Sequence, residues 1–130
     1  MAIWFKKVER ENPQDRTAPK KWYISLKSIS ILRSKEMGRR AAEGTTLDPK
    51  EAEMSFARYG KVLVEALMDS HSVEIEDVGI FRLTSSSNGA ETKDEATAGN
   101  VKNINVRFTP YKATRDRLNG AHLRDVETIK

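Results

Sequence analysis

The side chains of this sequence with chemistry to offer are chiefly its cations. Arg82 and Arg107 bracket a polar stretch in the last third, Lys93 and Lys102 lie inside that stretch, and Lys112, Arg115 and Arg117 follow it at helical spacing. Guanidinium and ammonium groups gathered in this way hold anions, phosphates above all, through charge-assisted hydrogen bonds. A solvated basic surface would carry the same residue types, so the positions matter more than the types. Little else in the chain is reactive. Cysteine is absent, which excludes disulfides, thiolate metal sites and cysteine nucleophiles. His71 falls in a turn and His122 near the C-terminal end, with no HExxH or other clustered ligand spacing. Glu74 and Glu76 alternate along a strand and read as its polar exterior rather than as a general acid and base. The seven glycines are scattered, so no phosphate-cradling loop is written here. The expectation is a protein that binds rather than catalyses, with no cofactor, no metal and no small-molecule substrate.

Charge distribution sharpens this. The 130 residues are enough for one domain with an appended segment, and 23 Lys and Arg against 19 Asp and Glu give a net charge of +4 and a pI near 9.4. That balance permits a nucleic-acid partner without requiring one. Residues 1–21 carry six bases and three acids, residues 22–43 five and two, and residues 104–130 six and three. The middle is acidic. Residues 48–69 and 70–84 are each net −2, and residues 85–103 set Lys93 and Lys102 against Glu91, Asp94 and Glu95. The N-terminus, MAIWFKKVERE, lacks an apolar run of signal-peptide length and nothing elsewhere approaches a membrane span, so a soluble, cytoplasmic protein is expected.

The elements that must position the cations follow from local pattern. Val73–Thr84 (VEIEDVGIFRLT) reads as a short apolar strand, a tight turn and a second strand, and leads into nineteen almost wholly polar residues, Ser85–Asn103. The chain returns as Val101–Phe108 (VKNINVRF). Strands that leave a core, pass through a polar excursion and come back beside a helix describe a β-arm. At its root, within Asp77–Phe81, Gly79 is expected to take a conformation that a Cβ would resist. Beyond the arm, the sequence predicts Thr109 as cap and Pro110 as first residue of a basic helix that fades near Asn119-Gly120. The tail from Ala121 to Lys130 is expected to be loosely held.

Upstream, Ile3–Val8 and Trp22–Leu32 are strand-like, separated by the proline-containing loop ENPQDRTAPKK. Trp4, Phe5, Trp22 and Tyr23 in these strands could stack on bases, but packing against the body accounts for them more simply. A short helix is predicted over Ser34–Glu43, with Ser34 as N-cap and Gly44 as stop. Its Arg33, Lys35, Arg39 and Arg40 read as a charged outer face. Asp48-Pro49-Lys50-Glu51 supplies a cap, a proline at the first helical position and a capping-box acid. From there Ala52, Phe56, Tyr59, Leu63, Ala66 and Leu67 repeat at helical spacing, and Met54, Val62, Val64 and Met68 widen the apolar stripe beyond one face. A helix of this kind is buried on two sides, and in so small a chain the second side falls to a partner subunit.

Taken together, Ala42–Ala52 (AEGTTLDPKEA) at the helix-to-helix turn, Val73–Phe81 (VEIEDVGIF) at the strand pair and Phe108–Lys112 (FTPYK) after the arm resemble the HU and integration host factor family of histone-like DNA-binding proteins. Several weak motifs agree in order and spacing across roughly Ser34–Gly120, and the N-terminal strands look like those of an extended subgroup. The resemblance implies an α+β histone-like fold: a helical dimer body, a small antiparallel sheet and a protruding β-arm. It divides the chain into an N-terminal β-hairpin extension (1–32), an HU-like domain (33–120, arm about 85–103) and a tail (121–130). It further implies a nucleoid-associated homodimer whose arms clasp the minor groove of double-stranded DNA with little sequence preference, basic arm residues neutralising phosphates and an arm-tip proline wedging between base steps. On this sequence the DNA-contacting residues would be Arg82, Lys93, Lys102, Arg107, Lys112, Arg115 and Arg117. The chain departs from the family pattern where it matters: no proline lies within Ser85–Asn103, no arginine lies between Arg82 and Arg107, and Tyr111 stands where a glycine is usual. These departures open an alternative, a structural or protein-interaction module that kept the dimer scaffold and lost arm-mediated DNA binding.

Overall fold

The computed structural model describes residues 1–128. The chain runs β1 (Ile3–Arg10), β2 (Lys21–Leu26), α1 (Ser34–Ala42), α2 (Pro49–Met68), β3 (Val73–Ile75), β4 (Gly79–Ser87), β5 (Val101–Pro110), α3 (Lys112–Asn119) and β6 (Leu123–Asp125). These elements fall into two compact units, Arg33–Asp116 and Met1–Leu32 together with the chain from Arg117.

In the Arg33–Asp116 unit, α2 begins at the cap and proline that the sequence predicts, while the expected capping-box bond to Glu51 is not formed among the described residues. Asp48 is the N-cap and its side chain accepts a hydrogen bond from the Lys50 amide, with Pro49 at the first position. Proline has no amide hydrogen to lose there, so the cap costs nothing in unmade hydrogen bonds. α1 packs across α2 at Gly38, where an added Cβ would lie 2.5 Å from the Glu53 amide nitrogen and 2.6 Å from its Cα. That approach lets the two helices share a seam. The cap of α1 is Arg33 rather than Ser34, and no side chain bonds its first amides. Gly44, in the left-handed region at φ 74°, ends the turn after α1 as expected. The buried hydrophobic residues among those described are Ala42, Ala52 and Leu67, which places the core of the unit in the α1–α2 seam.

β3, β4 and β5 form an antiparallel sheet in that order. The β3–β4 turn corrects the expectation for Gly79. The residue in the left-handed conformation is Asp77, at φ 63°, and the turn closes through the Val78 amide on the Ile75 carbonyl at 3.0 Å. Gly79 is needed for space instead: a Cβ would lie 2.7 Å from the Phe108 ring and 2.8 Å from the Pro110 Cα. A second correction concerns Thr109 and Pro110. They continue β5, paired with Ile80 and Gly79, and α3 starts only at Lys112. Proline is tolerated because it ends a strand at the sheet's edge, where no ladder hydrogen bond is demanded of it.

In the other unit the sheet order is β2-β1-β6, with β2 antiparallel and β6 parallel to β1. β2 stops at Leu26, so the expected strand over Trp22–Leu32 is cut short and Ile29 and Ile31 lie exposed beyond it. The Lys27 amide still bonds the Trp4 carbonyl at 2.8 Å. The expectation of a loose tail also fails for the described part of it, because Leu123–Asp125 adds a strand beside Ile3–Phe5; Ile129 and Lys130 lie outside the described residues.

Candidate nucleic-acid interface

β4 and β5 pair from Gly79–Pro110 at the root to Ser87–Val101, which sorts their side chains onto two faces. One face takes Phe81 with Phe108, Leu83 with Val106 and Ser85 with Ile104. Phe81 and Phe108 are in ring contact, centroids 4.8 Å apart, and hold the root together. The other face takes Ile80 with Thr109, Arg82 with Arg107, Thr84 with Asn105 and Ser86 with Asn103. Arg82 and Arg107 are thus direct cross-strand neighbours. Both are exposed, and among the described residues neither forms an ion pair. Like charges placed directly opposite destabilise a sheet, so the pair is a standing cost that an anion between the two guanidiniums removes.

Beyond Ser86 the pairing shifts register, and Lys102 is the residue left between Asn103, opposite Ser86, and Val101, opposite Ser87. A bulge twists the strands at this point, toward the arm's tip. The tip is closed by Asn88 and Asn100: the Asn88 amide donates to the Asn100 carbonyl at 2.8 Å, and the Asn100 side-chain amide donates to the Asn88 carbonyl at 3.3 Å. Thr97 and Asn100 form a reciprocal capping box around a single 3-10 turn, Ala98–Asn100. Lys93 sits in the turn between these, with Glu91, Asp94 and Glu95 around it in sequence. The structure therefore brings Arg82 and Arg107 together on β4 and β5 and leaves Lys93 apart from them among acids.

At the other end of β5, Tyr111 and the first turn of α3 lock onto the β3–β4 turn. The Tyr111 amide bonds the Val78 carbonyl at 3.0 Å, and the Thr114 hydroxyl donates to the carbonyls of Val78 and Asp77 at 2.8 and 3.1 Å. The Tyr111 hydroxyl donates to the Glu74 carboxylate. That hydrogen bond, with a lesser contribution from burial, raises the Tyr111 pKa above the ordinary phenol value. It occupies the carboxylate one sheet row below the arginine pair. No local signal announces these contacts, because they join residues more than thirty positions apart. Along α3, Lys112 and Arg115 are three apart and share a face, whereas Arg117 is turned well away from both. Arg117 falls in the other compact unit, whereas Lys112 falls in the same unit as Arg115.

The cluster on α1 is partly self-neutralised. Glu36 accepts from Arg39 at 2.6 and 3.0 Å and from Arg40 at 3.0 Å. These hydrogen bonds, Arg39's first and Arg40's second, hold its carboxyl down at about 2. Among the described residues no three His, Asp or Glu side chains gather as a metal site, and no helix is long and apolar enough to cross a membrane.

A search of curated proteins gave no match. The fold is similar to that of the HU protein in the Anabaena HU–DNA cocrystal structure, with TM-score 0.53, 14% identity, and coverage of 68% of this chain and 99% of that one. It is also similar to a chain from Bacteroides vulgatus ATCC 8482 assigned as a bacterial DNA-binding protein, with TM-score 0.61, 16% identity, and coverage of 96% of this chain but 48% of that one. The present chain thus spans about half of that longer protein. A family model described as HU-HIG, an HU domain fused to a winged helix-turn-helix, Ig or glycine-rich motif, matches residues 1–125. With both N-terminal strands, the helical pair, the arm and β6 all inside that match, this chain belongs to the HU-HIG family.

Proposed function

We propose that this protein is a nucleoid architectural protein that works as a homodimer and holds duplex DNA through its phosphate backbone, without reading sequence. The observation that carries this is the cross-strand pair Arg82–Arg107 on the polar face of the arm's base. It sets two guanidiniums side by side on the element by which a β-arm would grip a duplex, and the acid one row away on that face, Glu74, accepts from the Tyr111 hydroxyl. Lys102 at the bulge and Lys112 and Arg115 on α3 supply further positive charge in the same unit. Phosphate contacts fix position and orientation while carrying little sequence information, and the arm's polar face offers threonine, serine and asparagine rather than a wedge. Binding of this kind is non-enzymatic.

The dimer rests on α2. This twenty-residue helix packs chiefly against α1 in its unit, and leaves Met54 69%, Tyr59 73%, Val64 54% and Met68 78% exposed. A second copy of the same apolar helix is the partner that would cover it.

The test is duplex binding titrated with salt. Arg82→Ala/Arg107→Ala should weaken binding by about ten-fold or more and reduce the slope of log K against log salt by about 3 to 4, since two arginines per chain make four per dimer. Undetectable duplex binding by the native protein at low salt would sink the reading. The alternative, a protein-interaction module, draws on the arm tip, where Glu91, Asp94 and Glu95 surround Lys93. It requires that duplex affinity be absent or indifferent to the arginine pair.

A further inference from the structure

The N-terminal sheet has two faces, and they differ in charge. Residues directly opposite on neighbouring strands share a face. The pairs Phe5–Leu26, Lys7–Ile24, Glu9–Trp22, Ile3–Leu123 and Phe5–Asp125 make one face largely apolar. Its acids lie there too, Asp125 being ion-paired to Lys7 at 3.9 Å. The opposite face takes Trp4–Arg124, Lys6–Ser25, Val8–Tyr23 and Arg10–Lys21. It carries Lys6, Arg10, Lys21 and Arg124 and no acid. All four cations are exposed, and among the described residues none forms an ion pair.

Aromatic rings are interleaved with this charge. The Arg124 guanidinium lies 5.1 Å from the Trp4 ring centroid and that of Arg10 lies 5.9 Å from the Tyr23 centroid. Where Arg10 and Lys21 pair, the face deepens into a hollow of about 570 Å³, lined by these two, by Tyr23 and by Asn12, Pro13 and Pro19 of the β1–β2 loop. Glu11 also lines it, paired to Lys20 at 3.6 Å. The volume falls within the roughly 300–1,000 Å³ of ordinary ligand sites.

We propose that this face binds a single strand of nucleic acid. The four cations track the phosphates, and a base enters the hollow to stack on Tyr23, which is 48% exposed. Lys6 and Arg10 are four residues apart on β1, about 13 Å along the strand, so the track is long enough for more than one nucleotide. Aromatic rings set among cations distinguish this surface from the arm's base. A duplex presents phosphates outward and keeps its bases stacked inside, so it would use the charge and leave the rings idle, whereas a single strand uses both. Recognition here does not depend on the arm.

The experiment uses the full chain with two fluorescent probes, a single-stranded oligothymidylate and a duplex of equal length, read by anisotropy. Arg10→Ala/Lys21→Ala and, separately, Tyr23→Ala should each weaken oligothymidylate binding by roughly ten-fold or more, the order expected for loss of one stacked base or its phosphate contacts. Tyr23→Phe keeps the ring and should retain binding. Duplex affinity should stay within about two-fold in all three, while Arg82→Ala/Arg107→Ala should show the reverse pattern. Oligothymidylate affinity unchanged in Arg10→Ala/Lys21→Ala, or lost in step with duplex affinity, would overturn the proposal. Absence of duplex binding by any form, with single-strand binding intact, would remove the reading of the arm and leave this one standing.

Discussion

Glu36 shows how one side chain can neutralise part of a basic helix face. Arg39 and Arg40 were expected as part of a charged outer face, and they are exposed, but both donate to the same carboxylate. Because that carboxyl is held at about 2 when folded, against an ordinary value of 4.5, the ionised form is favoured by the folded helix. Its contribution is therefore complete above about pH 4.5 and is lost as pH falls from there through about 2. Carboxyl titration followed by NMR should give a Glu36 midpoint near 2, moving upward in high salt because the pair is at the surface. Arg39→Gln should raise the midpoint toward 4.5; a native midpoint already there would remove the interaction. The arginines of the arm's base lack such a partner, which is why the same residue type is read there as a site.

At the scale of elements, glycines decide what packs. Inside a helix, Gly38→Ala would ordinarily stabilise by about 0.5–1 kcal/mol. Here the added Cβ would meet the Glu53 backbone at 2.5 and 2.6 Å, and the contact is backbone on one side and main-chain helix on the other, so neither can swing away. Overpacking of this kind costs typically about 1–3 kcal/mol, which outweighs the propensity gain. Gly38→Ala should thus lower stability by about 1–2 kcal/mol in chemical denaturation, the net of those two effects; a variant as stable as the native chain would mean that α1 and α2 do not cross at this point. The arm's root follows the same logic, with Gly79 admitting the backbone of Thr109 and Pro110. The strand pattern around it was readable, since alternation over Gly79–Leu83 and Val106–Pro110 separates phenylalanine from arginine. That Thr109 and Pro110 finish a strand instead of opening a helix was not readable. Pro after Thr fits either role locally, and only the pairing of Thr109 with Ile80 selects one.

At the scale of the molecule, the chain buries too little for its length of apolar helix. Phe56 is 48% exposed and Tyr59 73%, whereas a stable twenty-residue amphipathic helix would shelter its aromatic side chains. If a second copy covers them, folding and association are one process, and the thermal midpoint must rise with protein concentration. Phe56→Glu should abolish the dimer in light scattering and with it the cooperative melt, because a charge buried in the seam has no partner. A native chain that is monomeric and melts at one temperature across concentrations would remove the dimer from the reading. The second compact unit adds a consideration of its own. β6 comes from the C-terminal part of the chain and pairs with β1 near its start, so truncation after Asn119 would strip a strand from the N-terminal sheet.

The sequence by itself determined the elements whose cause is local. Asp48-Pro49 starts α2, the glycine at 44 ends the turn after α1, and a polar run joins two alternating strands, β4 and β5, because caps, turns and two-residue periodicity act over a few positions. The family resemblance was legible for the same reason: it lies in the order of such signals. What only the tertiary structure decided depends on pairs far apart in the chain. The juxtaposition of Arg82 with Arg107, the Tyr111–Glu74 hydrogen bond, and the acid-free face that Lys6, Arg10, Lys21 and Arg124 share are set by strand register. Register is fixed by the sum of contacts along a sheet, and a slip of one residue would send every one of these side chains to the opposite face.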